Sequence, residues 1–376
     1  MGSEIRITDS ARSHRVEFLL DELGGSPVSW LVINDLEVKV GKIYLRMGGV
    51  GGVGTLEEHR MRGYSRKVME FSIEYMVRNR YDVSMLFGIP DYYIRWGYAS
   101  TLPNCKITMP LRNAERARPG LNARPMVKED ASAVLEIYEF TNEHRTGPLK
   151  RYRGEWFRRA RARKGSWWGI PADGTVFEDG SGRIVAYCAA DRWPRVMRIT
   201  EVGAVDVALY EHVLRFACDA ALQKKATELE VYAPFDHPFA ELCKSLGCAI
   251  SIDYPYASDG MGRIINLEST FEKLAPVFED RLKNACVREL PPHISFKTDI
   301  GFITLEVSDS GVSFSEAVSA NWIELPQWVL MQLILGYRHP GSILVDQAVK
   351  HEGRVEKTLE ILFPAGNPHI WHSDWF

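Results

Sequence analysis

The run Val53-Gly54-Thr55-Leu56-Glu57-Glu58-His59-Arg60-Met61-Arg62-Gly63-Tyr64-Ser65 decides how this chain is read. It starts as the end of a strand and passes through Arg-x-x-Gly-x-Ser into the start of a helix. Gly63 and the small Ser65 let a backbone come close to a ligand. First-turn N–H groups and the helix dipole favour an anion there, a pyrophosphate above all, and Arg60, Arg62 and Arg66 add positive charge. Taken alone, the same residues suit a surface turn with a solvated basic helix start equally well.

Outward from this run, the helix is expected to open near Arg62 or Gly63, because Val68, Phe71, Tyr75 and Met76 recur on one face. Val83–Phe87 follows as a buried strand. Upstream, Val16–Leu20 and Val28–Val32 read as a hairpin around Gly24-Gly25. Leu36–Val40 and Lys42–Met47 read as two more short strands around Gly41, followed by the glycine-rich 48–54. Gly49, Gly51 and Gly54 spell a literal GxGxxG with Glu74 twenty residues on. A dinucleotide fingerprint needs its helix to open within the glycines, whereas here it opens after Arg60 and Glu74 falls inside it. No Gly-Lys-Ser/Thr follows, which excludes a P-loop.

The chain has 376 residues, enough for two or three folded units. With 45% hydrophobic and 25% charged residues and a net charge of −3, it is composed like an ordinary globular protein, neither disordered nor a nucleic-acid coat. No apolar run approaches a membrane span, and Met1–Arg6 has no signal-peptide core, so a cytoplasmic location is expected. Cys105, Cys188, Cys218, Cys243, Cys248 and Cys286 show no CxxC spacing and read as reduced, half-buried thiols.

Three units are expected: 1–122, 123–260 and 261–376. In the second, strands at Arg198–Val205 and Leu229–Tyr232 alternate with helices at Leu209–Ala221 and Phe239–Leu246, echoing the first and suggesting a diverged duplication. Its Thr200–Asp206 lacks Arg-x-x-Gly and carries acidic residues that would repel a pyrophosphate. The third reads as α+β: a helix at 267–282, strands at 294–296, 302–307 and 312–314, and a helix near 325–335. Arg145–Lys164 mixes Lys150, Arg151, Arg153, Arg158, Arg159, Arg161, Arg163 and Lys164 with Tyr152, Trp156 and Phe157. A solvated basic helix is the favoured reading there over a nucleic-acid surface. The last residues, His369-Ile370-Trp371-His372-Ser373-Asp374-Trp375-Phe376, hold three large aromatics and are expected to be buried. His369 and His372 read as packed or capping histidines, and no spacing suggests a metal.

Val53-x-Thr55-x4-Arg60-x-x-Gly63-x-Ser65, then a strand, then Tyr93-x3-Gly97-Tyr98, resembles the acetyl-CoA site of the GNAT acetyltransferases. The lead-in Met47–Val53, a second GNAT-like unit without its own phosphate loop, and the ending Ser373-Asp374-Trp375-Phe376 narrow the resemblance to the Eis-type (enhanced intracellular survival) enzymes. It implies an α/β chain of tandem GNAT folds followed by a sterol-carrier-like α+β domain. It implies that Val53, Gly54 and Thr55 pair with the pantetheine arm, that Met61, Arg62, Gly63, Tyr64, Ser65 and Arg66 cradle the pyrophosphate, and that Gly88 and Ile89 line the thioester end. By the same resemblance Tyr93 is the general acid and the α-carboxyl of Phe376 the base, with Tyr92 and Tyr98 as packing aromatics.

The donor is then acetyl-CoA, without metal. The acceptor is a small-molecule amine (aminoglycoside- or polyamine-like) or a lysine, and the assembly a homohexamer. One departure stands out: only about 14 residues precede the first hairpin strand, where a GNAT unit has a strand and two helices. A coenzyme-binding protein without turnover and a lipid carrier acting through the third unit are the competing readings.

Overall fold

The computed structural model describes residues 3–21, 24–152, 172–191, 197–283, 285, 290–308 and 311–376. Two compact units emerge. One comprises residues 1–102, 255–368 and Phe376; the other comprises 103–254 and 369–375.

In the first unit, β1 (Ser3–Ser10), β2 (Ser13–Leu20), β3 (Pro27–Val40) and β4 (Ile43–Thr55) form an antiparallel meander. After β4 the chain crosses through the helix α1 (Tyr64–Arg78) to β5 (Val83–Gly88), which lies parallel to β4. A crossover helix is what a parallel pair requires. Asp259–Ile264 then pairs antiparallel with β5 on one side and with Ala99–Ser100 on the other, which completes a seven-stranded sheet. Val16, Phe18, Leu31, Ile33 and Val50 bury one face of this sheet against Val68, Met69 and Met76 of α1.

The same unit holds a five-stranded sheet built from His293–Thr298, Gly301–Ser308, Gly311–Ser315, Trp322–Glu324 and Lys350–Glu352. Helix Leu267–Lys283 lies between the two sheets. Its Val277 rests on Gly41, and Phe271 meets Phe296 at a tilt and Phe314 edge-on. Asp82, wholly buried before β5, anchors that helix by accepting from Lys273 Nζ at 2.6 Å and from the Ser269 hydroxyl, and it also accepts from the Arg46 N–H.

The second unit is a seven-stranded sheet in which Asn104–Pro110 lies between Glu228–Val231 and Ala249–Asp253, continuing through Met197–Ala204, Ile184–Asp191 and Ala172–Glu178 to Asn122–Pro125. Helices Ala131–Thr141, Tyr210–Gln223 and Pro238–Leu246 cover it. The two seven-stranded sheets thus repeat one mixed α/β plan.

Several expectations change. Asn104–Pro110 pairs in the second sheet, and Asp259–Ile264 pairs in the first. Backbone pairing, invisible to a pattern of periods, decides both. Val28–Val32 and Leu36–Val40 are one continuous strand, and the glycine-rich stretch is itself strand. Residues 3–10, where little structure was expected, form an edge strand. Four cysteines, Cys105, Cys188, Cys218 and Cys243, are fully buried instead of half-buried, and Cys248 is intermediate.

Arg151 is buried and not part of a solvated face. The rest of the basic segment from Arg153 to Lys164, with Trp156 and Phe157, lies outside the described residues, as does Cys286. Glu201 likewise shows no charge to a ligand: it is wholly buried and held by Arg151. Among the described residues no helix is long and apolar enough to cross a membrane.

Candidate active site

β4 and β5 pair only from Met47↔Val83 to Val50↔Leu86. Beyond Val50, β4 keeps its partner β3 but loses β5, so the edge of residues 51–55 has no strand beside it among the described residues. The parting coincides with a bulge. Trp30 and Val32 of β3 face Gly54 and Gly51 of β4, an extra residue on the β4 side, and Gly52 takes φ +59 there. The Ser29 hydroxyl donates to the Gly54 carbonyl at 3.1 Å and shares a 2.9 Å hydrogen bond with Thr55. This fixes the tip of β4 from behind and leaves the open edge for an extended ligand.

The glycines of β4 divide by face. A side chain on Gly48 would strike Met76 of α1. On the other face, side chains on Gly49 and Gly51 would strike Phe376: its ring at 2.9 Å from Gly49, and its main-chain carbon and oxygen at 2.9 and 3.2 Å from Gly51. The Phe376 ring also meets Phe87 edge-on at 5.4 Å between centroids. Phe376 therefore lies at the parting of β4 and β5, on the face away from α1. The signal is present in the sequence as Gly49-x-Gly51, two glycines on one strand face, although neither the dinucleotide fingerprint nor the lead-in Met47–Val53 assigns them a partner.

Tyr93 arrives from the other face. It opens the short 3-10 turn Tyr93–Trp96 after β5, and its ring fills the place a side chain on Gly88 would take, beside Leu86. It is buried with Tyr92, Trp96 and Tyr98 in the core that α1 covers. Burial pushes its pKa well above the ordinary phenol value, and neighbouring Tyr92 and Tyr98 act in the same sense. A phenol so placed stays protonated at neutral pH. Tyr98 is structural, as expected, with its hydroxyl sharing a 2.7 Å hydrogen bond with Ser84. Ile89 is half exposed beside Gly88.

Gly63 caps α1 in the left-handed conformation, φ 77, with no side chain taking the first-turn N–H groups and no acidic residue in that turn. Met61 is fully exposed at φ 61. Arg60, Arg62 and Arg66 are exposed, and none makes an ion pair among the described residues. Tyr64 stacks on Phe18 at 4.7 Å. One link escaped the sequence reading. Ser65 Oγ and the Tyr92 hydroxyl share a 2.6 Å hydrogen bond, and Tyr92 meets Tyr93 edge-on at 4.9 Å. The helix start is thereby joined to the end of β5.

A thioester with a long diphosphate tail fits these residues: an open strand edge, an uncapped helix start with three unpaired arginines, and a protonated phenol. Residues 9–101 match the family described as "Acetyltransferase (GNAT) domain". Known structures carry the likeness in fold beyond this segment. A GCN5-related N-acetyltransferase from Kribbella flavida superposes with a TM-score of 0.71 at 15% identity, over 96% of this chain and 88% of that one. A probable N-acyltransferase from Enterococcus faecalis V583 gives 0.75 at 15%, over 97% and 90%. Eis1 from Mycobacterium abscessus gives 0.69 at 14%, over all of both chains. No curated protein matches this sequence. Among the described residues, no group of three or more His, Cys, Asp or Glu side chains is gathered to hold a metal ion.

At the other end of the chain Trp371 is buried, while Trp375 and Phe376 are half-buried. In the second unit the Trp371 indole N–H donates to Asn142 at 3.1 Å, and the His369 N–H to the Thr146 carbonyl. Arg151 reaches Glu201 at 2.6 Å and Asp374 at 2.7 Å while lying 3.6 Å from the Tyr138 ring centroid. Tyr187 donates to Glu201 at 2.7 Å, and Ser373 also bonds Glu201.

Proposed function

We propose that this chain is an acetyl-CoA-dependent N-acetyltransferase that passes an acetyl group directly to a primary amine. What supports the reading is the pair of groups at the parting of β4 and β5: the Phe376 carboxyl against glycines on one face, and Tyr93 against Gly88 on the other. The backbone of Val53, Gly54 and Thr55 pairs with the pantetheine arm, Met61–Arg66 hold the pyrophosphate, and Gly88 with Ile89 lines the acetyl end. A neutral amine attacks the acetyl carbon. The Phe376 carboxylate takes up the proton the amine sheds, directly or through a water, and Tyr93 gives its proton to the departing sulfur. None of the described cysteines is needed as a nucleophile. Burial raises the pKa of Cys105, Cys188, Cys218, Cys243 and Cys248 and keeps them as thiols.

The sequence resemblance carries the finer parts of the proposal: an aminoglycoside-, polyamine- or lysine-like acceptor, a sterol-carrier-like C-terminal part, and a hexamer. The second sheet, lacking Arg-x-x-Gly, binds no coenzyme. Free-thiol release from acetyl-CoA with a panel of polyamines and aminoglycosides tests the reading. Release above the hydrolysis blank is expected, falling by about 10² to 10⁴ in Tyr93→Phe. Turnover undiminished after residues are appended to Phe376 would remove the carboxylate from the mechanism.

A further inference from the structure

The Tyr93 hydroxyl makes no hydrogen bond among the described residues, so it is aimed by the packing of its ring and the path of its backbone. That backbone is one short turn, Tyr93–Trp96, ended by Gly97 at φ 70. A turn of this length leaves its last carbonyls without partners inside it. Two side chains from distant parts of the sequence, within the same unit, take them. Arg263 Nη1 donates to the Trp96 carbonyl, and Gln327 Nε2 donates to the Gly97 carbonyl at 2.6 Å.

Gln327 is wholly buried at the start of helix Gln327–Leu335, and both ends of its amide are used. Its Oε1 accepts from the Ile264 N–H at 2.7 Å. A carbonyl can only accept and an N–H can only donate, so the orientation of the amide is fixed by its partners. Its own backbone N–H donates to Asp299 at 2.6 Å, which anchors the helix start. Gly97 leaves no space for a side chain, because a Cβ would stand 2.6 Å from Gln327 Nε2. Ile264 and Arg263 belong to the strand that pairs with β5, whose last residue Gly88 lies under the Tyr93 ring. Gln327 thus ties the end of the tyrosine turn to the strand beside β5.

The geometry points to Gln327, assisted by Arg263, as the positioning residue of Tyr93: it holds the turn so that the phenol stands at Gly88. This rests on the reading of Tyr93 as general acid.

A double-mutant cycle tests it. Gln327→Ala is expected to lower kcat by about 10- to 100-fold, the cost of a misplaced catalytic group, with KM for acetyl-CoA within about twofold. In a Tyr93→Phe background the same change is expected to cost almost nothing further, because its effect runs through the phenol. Gln327→Glu adds a signature in pH. A neutral carboxyl can donate to Gly97 and accept from Ile264, whereas a carboxylate cannot donate. The kcat of this variant relative to the parent should therefore rise as pH falls, while the Gln327→Ala ratio stays flat. Should the alanine variant fail to fold, the glutamate variant carries the test. An equal loss in both backgrounds, or a flat Gln327→Glu ratio, overturns the inference and leaves the acid in place. A fully active Tyr93→Phe enzyme overturns the acid and the inference together.

Discussion

The main-chain carbon of Phe376 occupies space that a side chain on Gly51 would need, and a Cβ there would stand 2.9 Å from it. Gly51 does not have a positive φ, so an alanine meets no backbone strain of its own. Gly51→Ala is thus expected to push the carboxyl out of position without unfolding the domain: kcat lower by about 10- to 100-fold, with the melting temperature within a few degrees. Kinetics beside a thermal melt check it, and full activity would show that the carboxyl has no part in the chemistry.

Arg60, Arg62 and Arg66 are expected to act on coenzyme affinity and not on the chemical step. Exposed contacts of this kind contribute about 0.2–1 kcal/mol each, so each Arg→Gln change should raise KM for acetyl-CoA roughly one- to fivefold with kcat held. The difference should shrink at about 0.5 M salt, where screening shortens the reach of surface charge. A kcat effect without a KM effect would count against the phosphate cradle.

His237, His369 and His372 are expected to make the second unit sensitive to acid. The Phe239 N–H donates to His237 Nδ1, which places that ring's proton on Nε2. Burial pushes the pKa of His237 and of His372 down to about 3, and that of His369 well below its ordinary value. The unfolded chain binds these protons from about pH 6.5 downward and the folded one does not, so stability falls as pH drops through the window from 6.5 to about 3. Each histidine adds a slope of about 1.4 kcal/mol per pH unit within it. Urea melts between pH 7 and 4.5 measure this, and His237→Gln should flatten the curve. A stability independent of pH over that range would contradict the neutral buried state.

Removing Arg151 leaves Glu201 and Asp374 as buried carboxylates without their cation. Arg151→Met is expected to destabilise the second unit by about 3–5 kcal/mol. Burial already holds the Glu201 pKa above its usual value, against the pull of Arg151. Without Arg151 it climbs further, so the loss should be largest near pH 8 and shrink as the Glu201 carboxyl protonates toward pH 5. An equal loss at both values would argue against charge as the cause.

Much of the first sheet and α1 is legible in local pattern, because its signals are local. The opening of α1 at Tyr64 follows from Gly63 and the apolar period of Val68 and Met76. The burial of Trp371 follows from its size, and the structural role of Tyr98 from its place after Gly97. What escaped depends on partners far away in sequence. Nothing near Glu201 announces Arg151, so its charge was read as displayed. Nothing near Asn104–Pro110 shows which sheet will take it, since both its partners, Glu228–Val231 and Ala249–Asp253, lie more than 100 residues away. The glycine run reads only as a glycine-rich lead-in and a literal GxGxxG, because glycines have no side chains to mark alternation along a strand. Its meaning appears only once Met76 stands on one face and Phe376 on the other.

The closing of β5 by Asp259–Ile264 has a consequence for how the molecule is made. At a synthesis rate of about 5–20 residues per second, the strand that covers the β5 edge leaves the ribosome roughly 10–30 s after β5 itself. Through that interval Val83–Gly88 offers an unsatisfied, apolar border to any neighbouring nascent chain. A gene fragment cut at residue 101 would make that condition permanent, so recombinant production of the isolated amino-terminal portion should yield aggregates where the complete polypeptide does not.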